Sequence, residues 1–175
     1  VIPGFVDTHS HSYQGLLRNS LANGLVDPDY NRDVQNKLTP AYTPEDVYMG
    51  VLITALGFID MGTTAIIDLS QISHTPEHSD ALIKGLKDSG IRALYAYSRG
   101  SGAAAKYPGD VERIQKQHFA SSDQLVTLAL GTAVNKEQWL IARRHGLRIF
   151  THVVGGNPGV GPDEVMKLGD EGLMG

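Results

Sequence analysis

The chain alternates between short apolar runs and longer segments whose apolar residues recur at helical spacing. Short runs bounded by turn residues predict buried strands, and spacings of three and four predict helices with one apolar face. After Thr43, for example, Val47, Val51, Ala55 and Phe58 follow the helical spacing. The pattern predicts five strands, within residues 1–11, 63–68, 91–97, 125–130 and 147–154.

The predicted helices begin and end at recognisable signals. Thr43 followed by Pro44 predicts a helix start, and Gly62 predicts its end. The same signals predict further helices at 75–90, 110–119 and 136–145, and another after Asp163. Residues 12–42 are polar and interrupted by prolines, which predicts a long loop with short helices that covers the end of the first strand.

Strands that alternate with helices predict parallel strands joined by right-handed crossovers. Two architectures have this pattern: a doubly wound open sheet, and part of a (β/α)₈ barrel. A complete barrel needs roughly 200–250 residues or more, and the chain has 175. The pattern alone does not choose between them.

Composition narrows the class of partner. The net charge is −4 and no basic patch is present, so a nucleic acid is not expected. No apolar run approaches the roughly 20 residues that span a bilayer, and no secretory signal is visible, so we expect a cytoplasmic protein. The chain has no cysteine, so any metal ligands must be histidines and carboxylates.

The residues that suggest chemistry lie at the end of the first predicted strand. Side chains alternate faces along a strand, so Phe5, Asp7, His9 and His11 share one side. Two neutral imidazoles on one face can hold a divalent transition metal. A histidine pair with this spacing is a weak signal alone, but here it stands where an apolar strand runs into a polar loop, which is where α/β sheets place their sites.

The run Pro-Gly-Phe-Val-Asp-Thr-His-Ser-His at residues 3–11 resembles the first barrel strand of the amidohydrolase superfamily. Its continuation through Tyr13 to Arg18 is most similar to the branch that holds cytosine deaminase and atrazine-chlorohydrolase-like enzymes. The resemblance implies a partial (β/α)₈ TIM-type barrel, with residues 1–175 supplying strands one to five of a metal-dependent hydrolase domain. Val1 enters a strand at once without an initiator Met, so we expect part of a longer product.

The resemblance also implies a ligand set. His9 and His11 are its first two metal histidines, and His152, at the end of the fifth predicted strand, falls at the third. The family's strand-six histidine and strand-eight aspartate have no counterpart here. The fourth predicted strand lacks a lysine, so one metal ion is expected rather than two. Zinc is favoured, and iron and manganese accept the same ligand types.

The implied activity is hydrolysis by a metal-activated water that attacks an electrophilic carbon and releases an amine or similar group from a small molecule. We expect these 175 residues alone to be a poor catalyst, because the family's proton-transfer groups are missing. Related aminohydrolases carry a glutamate three residues after the third histidine. Here that residue is Gly155, which leaves the substrate open and keeps a cyclic amide or carbamate as an alternative.

Four further residues are candidates for lesser roles. Asp68 ends the second predicted strand and is either a catalytic acid–base or a buried structural carboxylate. His74, in the loop that follows, is a candidate for substrate contact. Gln14 and Arg18, in the first loop, could anchor an acidic or heterocyclic substrate.

A rival interpretation is a non-enzymatic, doubly wound α/β domain whose histidines have no role. Such a domain should be a stable monomer without metal. A half barrel should instead expose sheet edges and apolar surface, and should associate into homo-oligomers.

Overall fold

The computed structural model describes residues 1–20, 25–153 and 161–174. Its framework is one sheet of five strands, and every neighbouring pair is parallel. The strands are β1 (Phe5–Ser10), β2 (Thr63–Leu69), β3 (Arg92–Tyr97), β4 (Val126–Thr132) and β5 (Ile149–Thr151). The fifth strand is shorter than its apolar run predicts.

Helices connect or follow the strands as the sequence predicts. They are α1 (Pro44–Asp60), α2 (Pro76–Ser89), α3 (Val111–His118), α4 (Lys136–Arg144) and α5 (Pro162–Asp170). At the start of α1, Thr43 and Asp46 form a capping box, in which each side chain binds the other residue's backbone N–H. Gly90 ends α2 with a φ of 74°, a conformation that glycine adopts without strain.

The strand order, β1-β2-β3-β4-β5, shows that the doubly wound alternative is wrong. A doubly wound sheet reverses its strand order at a switch point, whereas here each strand pairs with the next one in sequence. The sheet is a curled half-barrel with helices between its strands, and the partial barrel is the correct prediction.

Apolar side chains pack on both faces of the sheet. Between the sheet and the helices lies the main core, which includes Val51, Ile66, Leu82 and Leu86. A smaller cluster, made by Leu69, Ala96 and Ala129 with Leu94 and Phe150, forms a second core. On the open strand β1, Phe5 and Val6 remain 64% and 63% exposed, as expected for an uncovered sheet edge.

The segment between β1 and α1 contains short helices, as predicted, but it has more helical structure than the predicted long loop. It contains 3₁₀ turns at Ser12–Leu17 and Thr39–Ala41 and a π-type helix at Val26–Leu38. The N–H of Tyr30 donates to the carbonyl of Leu25, five residues back, over 3.0 Å. None of the helices in the described ranges is long and apolar enough to cross a bilayer.

Candidate metal centre

The first two histidines emerge beside a bulge in β1. Asp7 pairs with Ile66 and Ser10 with Asp68, so three residue steps on β1 match two on β2. Bulges of this kind are common next to active sites, where they re-aim side chains. The Nε2 atoms of His9 and His11 lie 3.3 Å apart, on one side of the strand.

The third histidine arrives from the opposite edge of the sheet. His152 follows β5, and its Nε2 lies 2.8 Å from the Nε2 of His9, 143 positions away in sequence. One ring nitrogen from each of His9, His11 and His152 lies within 4.8 Å of the others, and no other such group occurs within residues 1–20, 25–153 and 161–174. The curl of the sheet therefore brings together the three residues that the sequence singled out.

The donor set and its spacing fit a small transition-metal ion. Tetrahedral zinc with Zn–N bonds of 2.0–2.1 Å places its ligand nitrogens about 3.4 Å apart. The pair His9–His11 already has this separation, and the pair His9–His152 would have to open by about half an ångström. The nitrogens of the third pair, His11 and His152, lie within 4.8 Å of each other. These three histidines could hold a metal ion.

The protonation of the cluster also suits a metal. Burial lowers the pKa of His11 and of His152, and the neighbouring histidines lower both further, against an upward effect of the Leu69 carbonyl on His11. Both imidazoles are therefore neutral near pH 7, which is the form that binds metal. The Nδ1–H of His11 donates to the Leu69 carbonyl over 2.8 Å, so the lone pair on Nε2 faces the cluster.

Asp68 has a supporting position rather than a place beside the histidines. Its side chain is fully buried, and Oδ1 accepts a hydrogen bond from the N–H of Ser12 over 2.7 Å. It therefore holds the backbone that follows His11. It lines neither of the two polar clefts that His152 borders, so its geometry favours the alternative of a buried structural carboxylate.

Asp68→Asn should remove a pH dependence of stability. Burial raises the pKa of Asp68 to about 6, from 3.8, against the opposing hydrogen bonds from Ser12. The folded state thus binds the proton more tightly than the unfolded state, so this carboxyl makes folding less favourable as pH rises from about 4 to 6, by roughly 3 kcal/mol in total. Denaturant unfolding of the metal-free chain at several pH values tests this. If the free energy of unfolding changed with pH equally in the unaltered chain and in Asp68→Asn, the prediction would be contradicted.

A polar cleft of about 800 Å³ adjoins the cluster. His11 and His152 line it from the sheet, and the helical segment before α1 lines it from the other side, through residues that include Tyr30, Asn31, Gln35 and Asn36. The segment therefore lies over the end of β1, as expected, although as helix rather than loop.

His74 lines this cleft but is only 7% exposed. Its Nε2–H donates to the carbonyl of Thr39 over 3.0 Å, and its Nδ1 accepts the N–H of Ser101 over 2.8 Å. Both ring nitrogens are thus occupied, so the structure gives His74 a role in joining three segments around the cleft. Contact with a substrate through a free ring nitrogen is not available to it.

Gln14 and Arg18 line neither of the two clefts that His152 borders, although the N–H of Gln14 donates to the carbonyl of His11 over 3.0 Å. The Nε2 of Gln14 donates to the hydroxyls of Tyr13 and Tyr30, over 3.1 and 2.6 Å, so it supports a wall of the cleft. Arg18 is exposed, and its guanidinium lies near Gly57 on α1. Gly155, where the relatives' glutamate would stand, lies outside the described residues.

Two residues that line the site were not predicted from the sequence. Gln71 and Arg99 follow the ends of β2 and β3, and both line the 800 Å³ cleft and a smaller one of about 280 Å³. The available signal was their position, because the carboxyl ends of barrel strands carry the functional groups.

Comparison with known proteins gives a family match and several relatives. The profile of the Amidohydrolase family matches residues 1–169. A 5-methylthioadenosine/S-adenosylhomocysteine deaminase of Thermococcus onnurineus is 31% identical over 169 residues, which cover 87% of this chain and 37% of the relative. The protein of that name from Thermococcus kodakarensis is 35% identical over 100 residues, 55% of this chain and 21% of the relative. The chain thus spans less than two fifths of these relatives.

Solved structures show the same fold. An adenosine deaminase from Xanthomonas campestris with bound zinc superposes with a TM-score of 0.70 at 19% identity, over 98% of this chain and 42% of its own. Atrazine chlorohydrolase from Arthrobacter aurescens, complexed with zinc, gives 0.65 at 19% identity, over 89% and 41%. These likenesses confirm the predicted partial barrel.

Proposed function

Because this chain belongs to the amidohydrolase family, we propose that it forms the metal-binding part of a hydrolase that cleaves carbon–nitrogen bonds in a small amino-substituted or cyclic molecule. The observation that carries the proposal is the convergence of the ring nitrogens of His9, His11 and His152 within 4.8 Å, from the first and last strands of the sheet. Residues 1–175 would supply strands one to five of the barrel domain.

His9, His11 and His152 would hold one divalent ion, and zinc is favoured because three imidazoles suit it and because it occurs in the similar structures described above. When bound, the ion supplies an acidified water as nucleophile and polarises the group attacked. Iron and manganese remain the alternatives to zinc.

The chain's own residues prepare this site in three ways. The Leu69 carbonyl orients the ring of His11, and Asp68 holds the backbone at Ser12, so the Nε2 of His11 is positioned before any ion arrives. The pKa values of His11 and His152 are lowered, so no proton has to leave either ring near neutral pH. The helical segment before α1 forms the wall of the cleft opposite the histidines.

The substrate class has two candidates. The deaminase names of the relatives favour release of ammonia from an amino-substituted ring. Gly155 stands where related aminohydrolases carry a glutamate that holds the amino-substituted ring. A cyclic amide or carbamate does not require this glutamate, so Gly155 favours the second candidate.

The test uses the longest gene product that contains this chain, stripped of metal and then reconstituted with zinc, iron or manganese. We expect ammonia release from 5′-methylthioadenosine, or ring opening of dihydrouracil as the cyclic-amide probe, only after reconstitution. Metal content measured on the same samples separates a failure to bind metal from a wrong substrate. Turnover that persists unchanged after metal removal would contradict the proposal.

A further inference from the structure

Two histidines attach the helical segment before α1 to the rest of the molecule. The Nε2–H of His74 donates to the carbonyl of Thr39 over 3.0 Å, and the Nε2–H of His78 donates to the carbonyl of Tyr42 over 2.9 Å. Thr39 directly follows the helix Val26–Leu38, which lines the 800 Å³ cleft. Both histidines are only 7% exposed, and their ring centres lie 5.2 Å apart. The attachment of this wall of the cleft therefore involves a close pair of titratable groups.

The surroundings of His74 fit only its neutral form. Its Nδ1 accepts the N–H of Ser101 over 2.8 Å, and a backbone N–H can only donate. A proton on Nδ1 would face this donor, and the Ser101 hydroxyl, 3.1 Å away, offers it only a longer contact. Because the ring is rigid, it cannot turn away from Ser101 without disturbing its bond to Thr39. His78 differs, since its Nδ1 lies 2.9 Å from the hydroxyl of Thr75, which can donate to the neutral ring or accept from the charged one.

The pair has several titratable or charged neighbours on the elements around it. They are Glu77 on α2, Asp46 on α1, Arg113 on α3, Arg99 after β3, Tyr30 and Tyr42 in the segment before α1, and His11 and His152 across the cleft. The Thr75 hydroxyl lowers the pKa of the exposed Glu77, and the charges of His78 and Arg113 lower it further. Among the described residues, only His78 shifts the pKa of His74 by its charge. The two imidazoles are therefore coupled directly to each other.

We propose that His74 is a pH-dependent latch on the helical segment before α1, and that its protonation opens this wall of the cleft in mildly acidic solution. In the closed state the neutral ring joins Thr39 to Ser101. Protonation breaks this joint, so the segment can move away from His11 and His152 and widen the cleft for the entry or release of a ligand. His78 sets the pH of opening, because its charge opposes a second charge 5.2 Å away. Histidine suits this role, since its ordinary pKa lies close to physiological pH.

The direction of the pH effect follows from the burial of His74. Burial lowers its pKa in the closed state, and His78 adds to this, against the raising effect of the Thr39 carbonyl. The open state, in which the ring meets water, therefore takes up the proton more readily. Well above about pH 6.5 both states are neutral, and opening does not depend on pH. Below that value opening becomes more frequent by up to about tenfold per pH unit, until the pH reaches the lowered pKa of the closed state.

Hydrogen exchange of the metal-free chain between about pH 5 and 8 tests the latch, after correction for the intrinsic pH dependence of exchange. We expect residues 29–41 to exchange roughly three- to tenfold faster at about pH 5.5 than at pH 7, while α1 and the sheet keep their protection. His74→Gln keeps an N–H for Thr39 and an oxygen for Ser101 but takes up no proton, so this acceleration should disappear. His78→Gln should move the acceleration to a higher pH, because the opposing charge is gone.

The control variant is His145→Gln, which removes an imidazole at the end of α4 and should respond to pH like the unaltered chain. If the glutamine in His74→Gln failed to reach both partners, residues 29–41 would exchange fast at every pH, and the acid response would still be lost. An equal acceleration in His74→Gln would assign the response to other groups and overturn the latch. Loss of protection in α1 and the sheet at the same pH would also overturn it, since this is unfolding of the whole chain, as would a pH of opening that His78→Gln leaves unchanged.

Discussion

Replacing His152 with alanine is expected to abolish the stabilisation of this protein by zinc. An ion that binds only the folded state stabilises it by about 4 kcal/mol when its concentration is a thousand times its dissociation constant. In His152→Ala the described cluster keeps only His9 and His11, and two imidazoles from one strand leave the ion largely bound by water. Thermal unfolding with and without zinc, together with metal content after gel filtration, measures the effect.

The matched control for this experiment is His145→Ala. His145 lies at the end of α4, where its Nδ1 contacts Gln115. Its replacement by alanine removes one imidazole from the protein without changing the cluster. It should respond to zinc like the unaltered chain. A zinc response that survives in His152→Ala but disappears in His9→Ala would show that the two edges of the sheet do not share an ion.

Replacing His74 with alanine should loosen the wall of the cleft. The substitution leaves the buried carbonyl of Thr39 with the N–H of Tyr42 as its remaining donor and removes the acceptor of the Ser101 N–H, a loss of about 1–3 kcal/mol in the free energy of unfolding. Hydrogen exchange should accelerate most in residues 26–41, because Thr39 ends the helix that covers the site. Denaturant unfolding with exchange measured on the same samples checks both parts.

The contribution of His74 should also depend on pH. Burial lowers its pKa, and His78 adds to this, against the raising effect of the Thr39 carbonyl. The unfolded state therefore takes up the proton first, so the stabilisation is complete above about pH 6.5 and is lost as pH falls below that value. The difference in stability between the unaltered protein and His74→Ala should shrink over this range.

Ser101→Ala is the control for His74, because it removes the hydroxyl contact but keeps the backbone N–H that His74 accepts. It should cost much less than His74→Ala. If the two variants were equally destabilised, the imidazole of His74 would not be what connects the segments at Thr39 and Ser101.

The hydrophobic pattern was sufficient for the helices that follow the strands and for the parallel sheet, but not for the 13-residue helix Val26–Leu38. Helix α1 illustrates why, since its start and its apolar face both come from contiguous residues, Thr43 to Asp46 and Val47 to Ala55. The choice between open sheet and barrel depends on which strands are neighbours. That choice is made by packing between distant segments, so it needed the family resemblance or the structure.

The site, like the fold, could be predicted only where it depends on neighbouring residues in the sequence. His9 and His11 share a face by strand geometry alone, but the approach of His152 depends on the curl of the whole sheet. Gln71 and Arg99 follow strand ends, which was their only signal in the sequence, and the clefts that they line form only in the folded chain. The pattern predicted that Asp68 ends a strand and that His74 lies in the loop after it, and only the hydrogen bonds revealed what each one holds.

The sequential strand order has a consequence for biosynthesis. Each strand can dock on its predecessor as it leaves the ribosome, so the sheet can grow in the order of translation. His9 and His11 leave the ribosome well before His152, and they gain their third partner only after residue 152 has emerged and β5 has paired with β4. Loading of an ion by all three histidines therefore cannot precede the pairing of these two strands in the nascent chain.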